Sequence, residues 1–171
     1  LVLSPIRGKL QDRIDRWIYP DRYDTPRLLR ESALLLRDAH TPEELAAAAL
    51  RSIQILLGVE RAAFFTFVAL EERFILLQGK GVRDDRTGLH FGRILADPLF
   101  RLKQPTLRAD LESELPFGFL PRADLESLNA VETQVLVPLA SGSKRLAVLL
   151  LGPRSWGEIY SAPDLMLLEG L

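Results

Sequence analysis

Apolar and polar positions recur along this chain with two periods, and each change of period marks an element. Leu3, Ile6, Leu10, Ile14 and Trp17 repeat every three or four residues, with Arg7, Lys9, Asp12, Arg13, Asp15 and Arg16 on the other faces. That is the stripe of an amphipathic helix, weakened by Gly8 and stopped by Pro20. Tyr19-Pro-Asp-Arg-Tyr-Asp24 reads as a turn-rich connector, so residues 1–24 form a linker unit and 25–171 a single domain. Thr25 and Pro26 open a helix to about Ala39, with Leu28, Leu29, Leu35 and Leu36 inward. Thr41-Pro-Glu-Glu44 opens the next in the same way. It carries Ala46 to Ala49, Leu50, Ile53 and Leu57, and Gly58 ends it.

The period then becomes that of strands. Arg61 to Val68 and Arg73 to Gln78 form a hairpin turning at Glu71-Glu72, and alternation puts Phe65 and Phe67 on one face and Phe64 on the other. Residues 79–131 are irregular. They are expected to hold a short helix at 97–103 after Asp97-Pro98, a short strand at Pro105–Arg108, and helical turns near 110–115 and 122–129. Thr133–Leu139 and Lys144–Gly152 close a second hairpin across Ala140-Ser-Gly-Ser143. Its second strand is almost wholly apolar, which places it inside a sheet with both faces covered. A last helix opens at Ala162-Pro-Asp164 and stops within about three turns (on the order of ten residues), as expected for a module of a longer polypeptide. The fold class is therefore α+β: a central antiparallel sheet of about five or six strands. The terminal helices cover one face and the 79–131 segment the other.

Composition narrows the chemistry. The length of 171 residues suits one domain. The formal net charge of -1 gives no electrostatic footprint for nucleic acid. There is no cysteine, which excludes disulfides, thiolate metal sites and cysteine nucleophiles. No apolar run approaches the roughly 20 residues that span a bilayer.

Catalytic signatures are missing. His40 precedes a helix start and His90 lies in Gly88-Leu-His-Phe-Gly92; neither has a partner at metal-ligand spacing or the surroundings of a phospho-accepting histidine. Gly79-Lys-Gly81 and Ser141-Gly-Ser-Lys144 lack phosphate-loop spacing, and no Gly-x-Ser-x-Gly elbow occurs. Asp84-Asp85, Glu112/Glu114 and Asp124/Glu126 are expected to be solvated surface carboxylates. The eight phenylalanines are more suggestive. An apolar pocket between sheet and middle segment would take a small ligand, with Phe65, Phe67, Gln78, His90, Phe91, Phe100 and Gln134 as candidates by position. The alternative is that the rings fill the core themselves.

Leu34-Leu-Leu-Arg-Asp-Ala-His-Thr-Pro-Glu-Glu-Leu45, Leu57-Gly-Val-Glu-Arg-Ala-Ala-Phe-Phe65, Val135–Leu139, Leu146–Pro153 and Tyr160–Glu169 together resemble a GAF domain, the small-molecule sensor module of bacterial signalling proteins, over about residues 27–171. Leu10–Asp24 is similar to the connector that follows a transmembrane region in sensor histidine kinases. The resemblance implies a non-catalytic regulatory module, most readily of a sensor histidine kinase, cytoplasmic, in a parent anchored in the inner membrane by segments outside this chain. It implies a homodimer through the terminal helices and a small-molecule ligand. A transcriptional activator, a cyclic-dinucleotide or phosphatase output protein, or a ligand-free dimerisation domain are the alternative settings. No cofactor is specified: a covalent bilin and methionine-sulfoxide reduction both need the missing cysteines, the Asn-Lys-Phe-Asp-Glu motif of cyclic-nucleotide binders is absent, and haem would have only His90.

Overall fold

The computed structural model describes residues 30, 34, 37–82, 88–115 and 119–170. The linker helix, the connector and most of 25–39 lie outside the described residues, as do Asp84, Asp85 and Phe117.

Helix α1 (Pro42–Leu57) begins as its sequence dictates. Thr41 is extended and its hydroxyl accepts from the Glu44 N–H at 3.1 Å, while the Glu44 carboxylate accepts from the Thr41 N–H at 3.3 Å. Gly58 ends it at φ 62°, a left-handed conformation that glycine adopts without Cβ strain. Strands β1 (Ala62–Val68) and β2 (Arg73–Lys80) form the first hairpin, with a bulge between Phe64 and Phe65. The middle segment contributes β3 (His90–Phe91), α2 (Arg93–Leu102), β4 (Thr106–Leu107), α3 (Arg108–Ser113) and α4 (Arg122–Val131). Then come β5 (Val135–Ser141), β6 (Lys144–Leu151), a short turn of 3-10 helix at Ser155–Gly157, and α5 (Ala162–Glu169).

The six strands lie in the order β3-β2-β1-β6-β5-β4, every neighbouring pair antiparallel. The expected α+β architecture is the observed one. β6 lies between β1 and β5, and its alternation fills both sides. Ala147, Leu149 and Leu151 pack with Ala46, Leu50, Ile53 and Leu57 of α1 and Leu168 of α5. Val148 and Leu150 pack with Leu95 and Leu99 of α2, Leu111 of α3, and Leu128 and Val131 of α4. Each buried leucine removed from water contributes about 2 kcal/mol, so this strand alone anchors both layers. Gly152, just beyond it, has no room for a side chain: a Cβ there would lie 2.2 Å from the Val131 carbonyl oxygen.

Two sequence expectations are corrected. The helix placed at 97–103 begins at Arg93 instead, and Pro98 lies inside it. Proline removes the N–H that would bond the Ile94 carbonyl. The helix is retained because Leu95, Ala96, Leu99 and Phe100 bury one face against the sheet. His90, read as part of an irregular stretch, stands in β3, whose two residues pair with Phe74 and Ile75. Both outer strands, β3 and β4, have only two residues, and among the described residues β5 beyond Leu136 has no strand partner on its outer side, where Pro138 occurs.

A buried arginine joins the two ends of the domain. The Arg154 side chain, 3% exposed, donates through Nε to the Leu57 carbonyl and through Nη1 to Asp164 Oδ2, both at 2.7 Å. Asp164 also closes the N-terminal cap of α5, accepting from the Ser161 N–H and hydroxyl at 2.7 Å. Glu158 adds a second carboxylate, 3.3 Å from Arg154 Nη2. One side chain thus satisfies an orphan carbonyl at the end of α1 and fixes the start of α5.

Candidate functional site

The face of the sheet under the middle segment is floored by aromatic rings. Phe65 of β1, Phe74 of β2 and Phe91 of β3 are at most 1% exposed, and Phe100 of α2 closes over them. Phe74 stacks on Phe91 at 5.0 Å and on Phe100 at 5.6 Å, while Phe65 meets Phe91 and Phe67 meets Phe74, each at 5.0 Å. β alternation sets three of these contacts, because Phe65, Phe67, Phe74 and Phe91 point to the same side of the sheet. The rings fill the space beneath α2 themselves.

Beside this floor, a cleft of about 450 Å³ opens between the C-terminal half of α2 and the β5–β6 hairpin. Asp97, Phe100, Arg101 and Lys103 line it from α2 and its end, and Pro138, Ala140, Gly142, Ser143 and Arg145 from the hairpin. The Arg145 guanidinium lies 5.1 Å from the Phe100 ring centroid and donates to Asp97 Oδ1 at 2.6 Å. Asp97 also lies 3.6 Å from Arg93 Nε. Lys103 follows the last turn of α2 at φ 56°. Three cations and one carboxylate therefore line the cleft, with an aromatic ring beneath.

At the other end of α2, Gly92 occupies the cap position and has no side chain to offer. Asp124, from the first turn of α4, instead fixes the cap residue's backbone, accepting from the Gly92 N–H at 3.1 Å. Ser127, one turn on, donates to the His90 carbonyl at 2.7 Å. Asp124 is 2% exposed, so its expected place as a solvated loop carboxylate is corrected. Burial raises its pKa above the usual carboxylate value, against the opposing influence of the Gly92 N–H and of His90.

The candidate residues read from sequence divide. Phe65, Phe67, Phe91 and Phe100 are brought together with Phe74. His90 stands next to them in β3, its Nδ1 2.9 Å from the Gly88 carbonyl. Gln78 lies elsewhere, in a groove of about 360 Å³ against Glu44, Ala47 and Arg51 of α1. Gln134 is exposed at the entry to β5, where its backbone bonds Leu151 and Arg108 at 2.8 Å. Arg145, Asp97 and Lys103 escaped the sequence reading. Arg145 shares parity with Ala147 and Leu149, which face α1, yet it reaches the α2 side beyond the register shift between Leu139 and Ala140. Among the described residues, no group of three or more His, Asp or Glu is placed to hold a metal ion, and no helix is long and apolar enough to cross a membrane.

No family model matches the chain, and no curated protein matches it. Solved structures do. The GAF domain of an Acinetobacter phosphoenolpyruvate-protein phosphotransferase is similar with a TM-score of 0.64 at 12% identity, over 86% of this chain and 87% of that one. Residues 122 to 287 of a methyl-accepting chemotaxis protein give 0.62 at 16% identity, over 81% and 89%. The GAF domain of a two-component sensor histidine kinase from Bacillus halodurans gives 0.56 at 19% identity, over 77% and 88%. With the sheet order and the two helical layers, these likenesses show that the chain has the α+β fold of GAF domains.

Proposed function

We propose that this domain is a non-catalytic regulatory module of a bacterial signal-transduction protein, most specifically a membrane-associated sensor histidine kinase. In this reading it receives a small molecule at the cleft beside Arg145 and passes the change to its terminal helices, as a homodimer on the cytoplasmic side. The observation that carries it is the division of labour across one sheet. The cleft and its short helices occupy one face, while α1 and α5 occupy the other. β6 contributes to both layers, so a shift on one side is felt on the other. Its solved likenesses from a histidine kinase and a chemotaxis protein add support for a signalling parent. A ligand changes output only through its different affinity for two arrangements of the module.

A second reading, a ligand-free structural domain, is favoured by the mutual packing of Phe65, Phe74, Phe91 and Phe100. Native mass spectrometry of freshly purified protein, followed by a thermal-shift screen against metabolites, separates the two. A retained or stabilising small molecule supports the sensor; a chain that carries none and responds to none supports the scaffold. Fusion to a histidine kinase core tests the parent: autophosphorylation that changes with the screened compound is the expected result.

A further inference from the structure

Four regions compete for a further role. The groove between α1 and α5, lined by Ile53, Leu56 and Met166, has nothing in the structure to say what covers it. The groove at Gln78 sets Arg51 and Lys80 beside Glu44 on an open surface without an aromatic floor, and the Arg154 cluster is fully engaged in holding α5. The cleft between α2 and the hairpin goes further.

We propose that this cleft binds a small organic oxyanion, a carboxylate or a phosphate ester, on Arg145 and Lys103; the proposal rests on the sensor reading and gives its ligand a chemical class. The first argument is charge. Arg101, Lys103 and Arg145 line the cleft with Asp97 as the carboxylate of the lining, Arg101 also lying 4.0 Å from Glu114 outside it, in a chain whose formal net charge is -1. The second is unused donor capacity. A guanidinium offers five N–H donors in a planar fork suited to carboxylate and phosphate. Among the described residues, the Arg145 side chain makes a single hydrogen bond, to Asp97 at 2.6 Å. Its side chain is 31% exposed, so the remaining donors are within reach of a solute. The third is pre-organisation. Phe100 is held by Phe74 on one side and lies under the guanidinium, so the fork sits over a fixed ring and does not sweep freely. Lys103 adds a point charge, and Ser143 a hydroxyl, at the mouth.

Asp97 already occupies one edge of Arg145 as an internal carboxylate. An incoming oxyanion competes with it and repels it, loosening the contact between α2 and β6. Binding at the cleft is thereby linked to the attachment of the helix that covers the rings.

The test is a titration of the protein with succinate, with inorganic phosphate, and with sodium chloride at matched ionic strength, followed by amide NMR. Saturable shifts at Lys103 and Gly142–Arg145 with succinate or phosphate, and not with chloride, are expected. The stronger of the two identifies the carboxylate or phosphate source. Arg145→Gln should weaken binding by about tenfold or more, the loss of a charge-assisted pair. Lys103→Ala, an exposed change that leaves the fold alone, should weaken it severalfold, and Asp97→Asn should tighten it severalfold by releasing the fork. Shifts that chloride reproduces, or that survive Arg145→Gln and Lys103→Ala, overturn the proposal. An uncharged metabolite that shifts the same residues when both anions fail also overturns it, while leaving the sensor reading in place. A protein inert to anions and to every screened metabolite removes both.

Discussion

At the scale of single residues, Asp124 is the group whose chemistry departs furthest from its sequence appearance. Its carboxyl is buried and its pKa raised, so the folded state holds the proton more tightly than the unfolded chain. Stability from this group is present below the ordinary carboxylate value of 3.8 and is lost as pH rises through the raised folded value. Asp124→Asn keeps an acceptor for the Gly92 N–H and removes the titration. Thermal unfolding of both proteins from pH 4 to pH 8 should show the variant gaining on the parent as pH rises; a gap that stays constant or moves the other way refutes the assignment. Gly152 gives a second expectation. A methyl group 2.2 Å from the Val131 carbonyl must push β6 and α4 apart, so Gly152→Ala should cost about 1–3 kcal/mol in urea unfolding. What could be read from single residues was local. Thr41 with Glu44 announced a helix start because both cap partners lie within four positions. Asp124 accepting from the Gly92 N–H from 32 residues away has no such signature.

At the scale of elements, the strands were legible and the middle helices less so. β1, β2, β5 and β6 are short apolar runs bounded by turn residues, and the almost wholly apolar run of β6 correctly placed it inside the sheet. The start of α2 was placed four residues late because Asp97-Pro98 imitates a helix start, whereas its true cap, Gly92, has no side chain to reveal it. The ring cluster was visible as an excess of phenylalanine. The cleft was hidden, because a register shift in the hairpin takes Arg145 away from the face its parity assigns. The attachment of α5 depends on Arg154, a residue with nothing but context to distinguish it. Arg154→Met leaves the Leu57 carbonyl and the Asp164 carboxylate without their buried donor, a loss of about 3 kcal/mol or more. Hydrogen exchange should then accelerate first along α5 and the last turn of α1. Uniform acceleration across the sheet would mean that the arginine supports the core and not the helix.

At the scale of the whole molecule, β6 packs against both helical layers, and the sheet ends in short strands on both sides. β3 and β4 add two residues each, and the uncovered length of β5 carries a proline without an N–H to donate. Beyond Leu136 the outer side of β5 therefore offers one donor fewer to an incoming strand. Replacing Pro138 with valine restores a donor on a β-branched residue and turns a blunt margin into an adhesive one. Light scattering should then rise with protein concentration and incubation time where the parent stays clear. At this margin of the sheet, one hydrogen is the difference between an inert backbone nitrogen and a donor ready for a neighbour.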